Sequence, residues 1–253
     1  MLVKNTAHYD VALASSEADI RAAQELRYRV FVEELGSAGP GVDHEKRIEQ
    51  DTFDGFAEHL ILRDRSAQNH VVGVYRLLHQ DKARDAGGFY SSNEFDLSPL
   101  LLSERRLLEL GRSCLHPDHR GGAALLALWQ GLEAYVKSNA IDVIFGVASF
   151  HGTDVDQFIH AVSHLQNTYL APTHLRATSR MECPITLLQP DQVNRKKAMR
   201  DTPALIKSYL KQGAVVGEGI YVDHDFNTTD VCLILETSAL RSMPSHPLTA
   251  SVP

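Results

Sequence analysis

One segment constrains this chain more than any other. Leu107-Leu108-Glu109-Leu110-Gly111-Arg112-Ser113-Cys114-Leu115 reads as an apolar strand that carries one carboxylate and one guanidinium. After His116-Pro117-Asp118-His119, the run Arg120-Gly121-Gly122 opens a long helical pattern through Ala123 to Ser138. A carboxylate among leucines must be paired, hydrogen-bonded or neutralised, because burying a bare charge is costly. A helix start presents free backbone N–H groups and suits an anion. The segment therefore predicts a core strand, a helix packed on it and a polar site at their junction. Proton-handling groups beside an anion site point to group transfer from a phosphorylated donor.

The 253 residues, 43% of them apolar, are enough for one well-buried core. Net charge is −7 with both signs mixed along the chain, which argues against nucleic acid as a partner. The exception is Arg195-Lys196-Lys197-Ala198-Met199-Arg200, a basic stretch suited to an acidic protein surface or anionic headgroups. Cys114, Cys183 and Cys232 are far apart and form no Cys-x-x-Cys pair, as in a reducing compartment. The N-terminal residues lack an apolar signal core, and no run approaches the roughly 20 apolar residues of a membrane span. The expected setting is the cytoplasm, with any membrane contact peripheral, at the inner face.

Alternating apolar patterns predict strands at 9–13, 59–63, 71–78, 107–115, 141–150, 215–222 and 231–236. Helices are predicted after Ser15 or Ser16, over 122–138, from an Asp154 cap to Tyr169, and over 203–212 with Thr202 as cap. Residues 1–240 are expected to form one α/β (α+β) domain, a mixed sheet with helices on both faces. Residues 241–253, with Pro244, Pro247 and Pro253, are expected to be a loose tail.

Several residues admit two readings. Glu109 is either a general base, acting directly or through water, or half of a structural ion pair with Arg112 or Arg76. Arg112 is three residues on and would face the other side of a regular strand, unless a bulge at Gly111 realigns it. Arg27, Asp51, Asp54 and Arg76 either shape an acceptor pocket for an amine and a carboxylate or brace the fold. Phe31 suits core or acyl-pocket lining. Glu58 and His59 face opposite sides, so at most one reaches a site, and His59 is an alternative base. Arg120-Gly121-Gly122-Ala123 either cradles a donor phosphate or is an ordinary strand-to-helix turn. Cys114 with His116 raises a thiol mechanism, against which a buried inert cysteine is favoured. His160 and His164 have ligand spacing but lack the glutamate of a zinc motif, so no metal is expected.

The ordered set Arg27-x-x-x-Phe31, Asp51-x-x-Asp54, Gly73-x-x-Arg76 and Glu109-x-x-Arg112 resembles the acyl-homoserine-lactone synthases, a branch of the GNAT acyltransferase fold. Phe53-Asp54-x-x-Ala57-Glu58-His59-Leu60, Glu109-Leu110-Gly111-Arg112-Ser113-Cys114, Leu128-Trp129-Gln130-Gly131-Leu132 and Gly146-x-x-Ser149-Phe150 are more similar still to ornithine-lipid N-acyltransferases. So are Pro203-x-Leu205-Ile206-Lys207-x-Tyr209-Leu210 and Asp225-Phe226-Asn227-x-x-Asp230. The resemblance spans about residues 9–240 and implies transfer of a fatty acyl group, often 3-hydroxylated, from acyl carrier protein to an amino-acid α-amine. Ornithine is the commonest acceptor and glutamine a second one, and the product is a lyso-aminolipid. It implies catalytic roles for Glu109 and Arg112, and no tightly bound cofactor, the donor being acyl-phosphopantetheine on acyl carrier protein. It implies acceptor contacts from Arg27, Phe31, Asp51, Asp54, Glu58, His59 and Arg76, and donor contacts from Arg120, Gly121, Gly122 and Ala123. The turn Arg120-Gly121-Gly122-Ala123-Ala124-Leu125 fits the usual GNAT cofactor loop only loosely, which speaks for a carrier-protein donor over acetyl-CoA. The alternatives are a lactone-forming signal synthase and a non-catalytic module that binds acyl carrier protein or lipid.

Overall fold

The computed structural model describes residues 2–5, 8–120, 122–182 and 185–239. Nine strands form one sheet: β1 (Leu2–Asn5), β2 (Tyr9–Leu13), β3 (Glu58–Asp64), β4 (His70–His79), β5 (Leu107–Leu115), β6 (Val143–His151), β7 (Val215–Val216), β8 (Tyr221–Asp223) and β9 (Thr228–Glu236). The order is β1-β2-β3-β4-β5-β6-β9-β7, with β8 also paired to β9. Every pairing is antiparallel except β5 with β6. Parallel neighbours need a crossover, and α1 (Glu17–Arg27) precedes it while α2 (Gly122–Ser138) provides it.

The central strands are apolar on both sides because both sides are covered. Leu60 and Leu62 of β3 pack with Leu128, Trp129 and Leu132 of α2, while Ile61 between them packs with Ala23 and Leu26 of α1. Ser16 caps α1 by accepting from the Asp19 N–H at 3.2 Å. The chain then widens into one π-helical stretch, Tyr28–Glu34, an insertion often found where a helix serves a site. A further buried cluster brings Phe89, Phe95, Leu97 and Leu100 together with Leu107, Val143 and Ile234.

Strand ends shift by one to three residues, as at Val143–His151 and Thr228–Glu236, and three larger differences from the sequence expectation have local causes. The single strand predicted over 215–222 is two short ones, because Gly217 and Gly219 turn the chain between them, Gly219 at φ +80°. Asp154 caps only a 3₁₀ turn, Val155–Gln157, and α3 (Ile159–Tyr169) starts after it. Thr202 does not start the next helix: it is the C-cap of α4 (Arg195–Asp201), its hydroxyl donating back to the Ala198 carbonyl at 2.8 Å, and Pro203 stands at the start of α5 (Ala204–Lys211). The basic stretch is thus the short helix α4, capped by Asn194. The expected tail, 241–253, lies outside the described residues, as does Cys183. Among the described residues no helix is long and apolar enough to cross a membrane.

Gly131 marks where α2 lies closest to the sheet, since a Cβ there would sit 2.4 Å from Val11 Cγ1. Gly131→Ala is expected to destabilise the fold by about 1–3 kcal/mol through overpacking, read as a lower urea midpoint with unchanged slope.

Candidate functional site

The site begins where the parallel pair comes apart. β5 and β6 pair at Leu107–Val143, Leu108–Ile144 and Glu109–Phe145 and no further. Gly146 lies so close to β5 that a Cβ there would fall 2.1 Å from the Leu110 carbonyl oxygen. Beyond this contact the strands enclose a cavity of about 240 Å³, walled by Leu110–Ser113 of β5 and Gly146–Ser149 of β6. β5 continues to pair with β4 and β6 with β9, so only the two facing backbone edges lose their partner. Phe31, Tyr75, Tyr209 and Phe226 complete the walls.

A bulge realigns β5 at this point. Gly111 faces Arg76 and Cys114 faces Val74, so Arg112 and Ser113 together oppose Tyr75. Arg112 sits at φ +50°, a region uncommon for a side chain with a Cβ. The bulge expected at Gly111 thus falls one residue later, with the predicted effect: Glu109 and Arg112 both line the cavity. The Arg112 guanidinium is held between two rings, 4.7 Å from the Tyr90 centroid and 4.5 Å from that of Phe226.

Arg112 also belongs to a closed ring of ion pairs. Arg27 Nε donates to Glu49 at 2.5 Å, and Glu49 accepts from Arg112 Nε at 3.1 Å. Arg112 Nη2 donates to Asp51 at 2.9 Å, and Asp51 accepts from Arg76 Nη1 at 2.5 Å. Arg76 Nη1 also donates to Asp54 at 3.0 Å, and Asp54 returns to Arg27 Nη1 at 2.8 Å. Three arginines alternate with three carboxylates and the charge sums to zero. Arg27 is 0% exposed and Arg76 2%. Burial alone would raise Asp54, but the Arg27 and Arg76 guanidinia beside it hold its carboxyl down to about 2.

Glu109 does not join this ring. It is 3% exposed. Its Oε2 accepts from the Tyr90 N–H at 2.9 Å and its Oε1 from the Ser91 N–H at 2.7 Å. Burial pushes its pKa up, and these N–H groups oppose the shift without cancelling it. The ion pair with Arg76 or Arg112 is therefore not formed, since both guanidinia are committed to Glu49, Asp51 and Asp54. A second acidic group lies alongside: Glu94, Asp223 and Asp230 bring one carboxylate oxygen each to within 4.8 Å of one another. Burial and mutual repulsion push Glu94 and Asp230 upward.

Of the residues singled out from sequence, Glu109, Arg112 and Phe31 meet at the cavity. Arg27, Asp51, Asp54 and Arg76 form the ring behind it and do not line it, which is the bracing reading. Glu58 and His59 are also placed away from the cavity. Glu58 accepts from the Tyr135 hydroxyl, and His59 is buried against the Asp54 carbonyl at 3.4 Å, with its pKa lowered by burial. Arg120 makes a two-armed pair with Glu34 at 2.6 Å, and Gly122 and Ala123 begin α2; Gly121 lies outside the described residues. Cys114 is buried, with its thiol pushed up to about 12 by burial, so it is an inert core cysteine. His160 accepts from the Asn194 N–H and His164 meets Thr168, so the two do not share a ligand site. Sequence reasoning missed Glu49, Tyr90, Glu94, Asp223 and Asp230. The polar, acidic stretches Glu49–Gly55 and Glu94–Asp96, Tyr90 after the Gly87-Gly88 loop, and the Asp225–Asp230 motif are the signals in the sequence that lie nearest to them.

Removing one arginine from the ring should be severe. Arg27→Met leaves Glu49 and Asp54 short of a buried cation and is expected to cost about 3–5 kcal/mol in urea unfolding. Because the folded pKa of Asp54 lies below its ordinary 3.8, the stability it contributes is complete above that value and is lost as pH falls through about 2. Asp54→Asn should therefore flatten the acid limb of a stability-versus-pH curve, measured from pH 5 downward.

An acetyltransferase (GNAT) domain model matches residues 26–130. The structure of an N-acyl amino acid synthase from uncultured soil microbes superposes with a TM-score of 0.51 at 12% identity, covering 91% of this chain and 90% of that one. A CoA-dependent acyl-homoserine lactone synthase with SAM and isopentyl-CoA gives 0.52 at 14%, covering 91% and 85%. These likenesses establish the fold. An L-ornithine N(alpha)-acyltransferase of Rhodobacter capsulatus is 50% identical over 92% of this chain and 91% of its own length. One of Brucella abortus is 39% identical over 92% and 86%. With identity this high over nearly its whole length, the chain belongs to the L-ornithine N(alpha)-acyltransferase family.

Proposed function

We propose that this chain transfers a fatty acyl group from the phosphopantetheine thioester of acyl carrier protein to the α-amine of ornithine. The observation that carries the chemistry is Glu109, a buried carboxylate with a raised pKa, fixed by two backbone N–H groups at the mouth of the gap between β5 and β6. An amine reaches the site as an ammonium and must lose a proton before it can attack. Glu109, directly or through water, takes that proton. The nitrogen adds to the thioester carbonyl, and the unpaired backbone edges of β5 and β6 offer N–H donors for the oxyanion. Collapse forms the C–N bond, breaks the C–S bond and releases the carrier thiol, which regains a proton. The products are an N-acyl-ornithine, which is a lyso-ornithine lipid, and free carrier protein.

Arg112 is our candidate for the acceptor's carboxylate, since it lines the cavity with its position fixed by the ring and by Tyr90 and Phe226. Leu110, Ile144, Ala148, Leu233 and Phe31 supply an apolar wall for the acyl chain. Arg120, Gly122 and Ala123, with Gly121 beside them in sequence, are the candidates for the donor phosphate, because a helix start favours an anion. Arg195, Lys196 and Arg200 of α4 suit the acidic surface of a carrier protein. We place the reaction in the cytoplasm, with the product handed to the inner membrane face through a peripheral contact.

The test is incubation of purified protein with 3-hydroxyacyl carrier protein or the matching acyl-CoA, plus ornithine, followed by mass spectrometry. The expected product is a linear amide of ornithine from the carrier-bound donor; no acylated ornithine, with an acyl lactone formed instead when S-adenosylmethionine replaces ornithine, would favour the signal-synthase reading. Glu109→Gln should lower kcat by about 10²–10⁴-fold while leaving the melting temperature near that of the wild type. A folded variant working at full rate would remove Glu109 from the role of base.

A further inference from the structure

The acidic trio beside the cavity is not explained by the acyl-transfer chemistry. Glu94 and Asp230 are each 3% exposed, yet Glu94 Oε2 and Asp230 Oδ1 have no hydrogen-bond partner. Asp223 and Asp230 line the same cavity as Glu109 and Arg112. Asp230 sits on β9 opposite Ser149 of β6, and both line the cavity. Glu94 follows the turn Tyr90–Asn93, whose first two N–H groups hold Glu109. The segment that holds Glu109 thus also delivers Glu94, while β8 and β9 bring Asp223 and Asp230 to meet it.

The contrast with the arginine ring is informative. There every buried carboxylate has a guanidinium on either side. Among the described residues none of the trio joins an ion pair. Arg112 is the guanidinium whose charge reaches Glu94, but its hydrogen bonds go to Glu49 and Asp51, so three converging carboxyls with two orphan oxygens can still accept donors from a cation. An ammonium carries three donors, one for each carboxyl, on a single point charge.

We propose that Glu94, Asp223 and Asp230 seat the second, non-reacting ammonium of the acceptor and so select a diamino acid over a monoamino acid. This rests on the acceptor reading given above: the α-amine faces Glu109, the carboxylate meets Arg112, and the side-chain amine enters the trio. In its absence burial and mutual repulsion keep Glu94 and Asp230 protonated to higher pH than usual, which an arriving ammonium would relieve.

The discriminating pair of acceptors is ornithine and norvaline, which has the same chain without the terminal amine. With a saturating donor, the wild type is expected to favour ornithine by at least about 100-fold in kcat/KM. Asp230→Asn should cut kcat/KM for ornithine by about 30-fold or more, chiefly through KM, and leave norvaline within about twofold. Asp223→Asn, at a less buried position, should show the same split and serves if Asp230→Asn fails to fold. Ornithine alone should raise the melting temperature of the wild type more than norvaline does, a readout independent of any donor. Equal losses for both acceptors, or no preference in the wild type, would overturn the proposal. So would activity abolished by EDTA and restored by magnesium or calcium, which would make the trio a metal site. Selective ornithine binding without acylation would leave the ammonium seat standing and sink the reaction; acylation of both acceptors at equal rate would do the reverse.

Discussion

Everything at the site is built on the closed ring of Arg27, Glu49, Arg112, Asp51, Arg76 and Asp54. The six groups come from α1, the segment 49–54, β4 and β5, so one electrostatic unit ties the first helix to the two central strands. Its neutrality lets it be buried, since each charge keeps an opposite charge within hydrogen-bond distance. The ring also explains a conformation that the chain would otherwise avoid. Arg112 stays at φ +50° because Glu49, Asp51, Tyr90 and Phe226 hold its side chain from several directions. The bulge thus held turns Arg112 toward the cavity that Glu109 lines.

The second constraint is topological. A sheet that is antiparallel everywhere except between β5 and β6 has one joint where both flanking strands are held from outside while their own pairing stops. Gly146 lets the backbones touch just before they part. A largely apolar cavity opens there, lined by the two strands where their mutual pairing has stopped. The rigidity of the neighbouring pairs, β4 with β5 and β6 with β9, keeps those edges in place.

The fold was legible where periodicity carries the signal. The apolar strands at 59–63 and 107–115 and the helix over 122–138 follow from side chains buried on both faces or on one stripe. Short strands and caps were less legible, because a hydrogen bond to a neighbour decides them: Thr202 had a carbonyl to donate to within its own chain, and Gly217–Gly219 broke a run that reads as continuous strand. The site divides in the same way. Glu109 and Arg112 stood out as charges in an apolar strand. Glu94, Asp223 and Asp230 did not, since isolated acids in loops and at strand ends look solvated until the chain brings them together. Arg27, Asp51, Asp54 and Arg76 showed the opposite failure: their pattern reads as a pocket, yet the geometry spends their charges on one another.

The acidic groups at the cavity and in the ring behind it show how neighbouring carboxyls support different chemistry. Asp54, flanked by two guanidinia, is held ionised far into acid and cannot accept a proton near neutrality. Glu109, on β5, is hydrogen-bonded by amide N–H groups in place of guanidinia. Dipoles of that kind stabilise a carboxylate less than a full charge does, and burial then prevails. The arginines are thus as informative by their absence as by their presence: where the ring consumes them, the carboxylates are structural. Where no guanidinium bonds the carboxyl directly, at Glu109 and Glu94, burial prevails over the more distant arginines and the carboxyl keeps the capacity to take a proton.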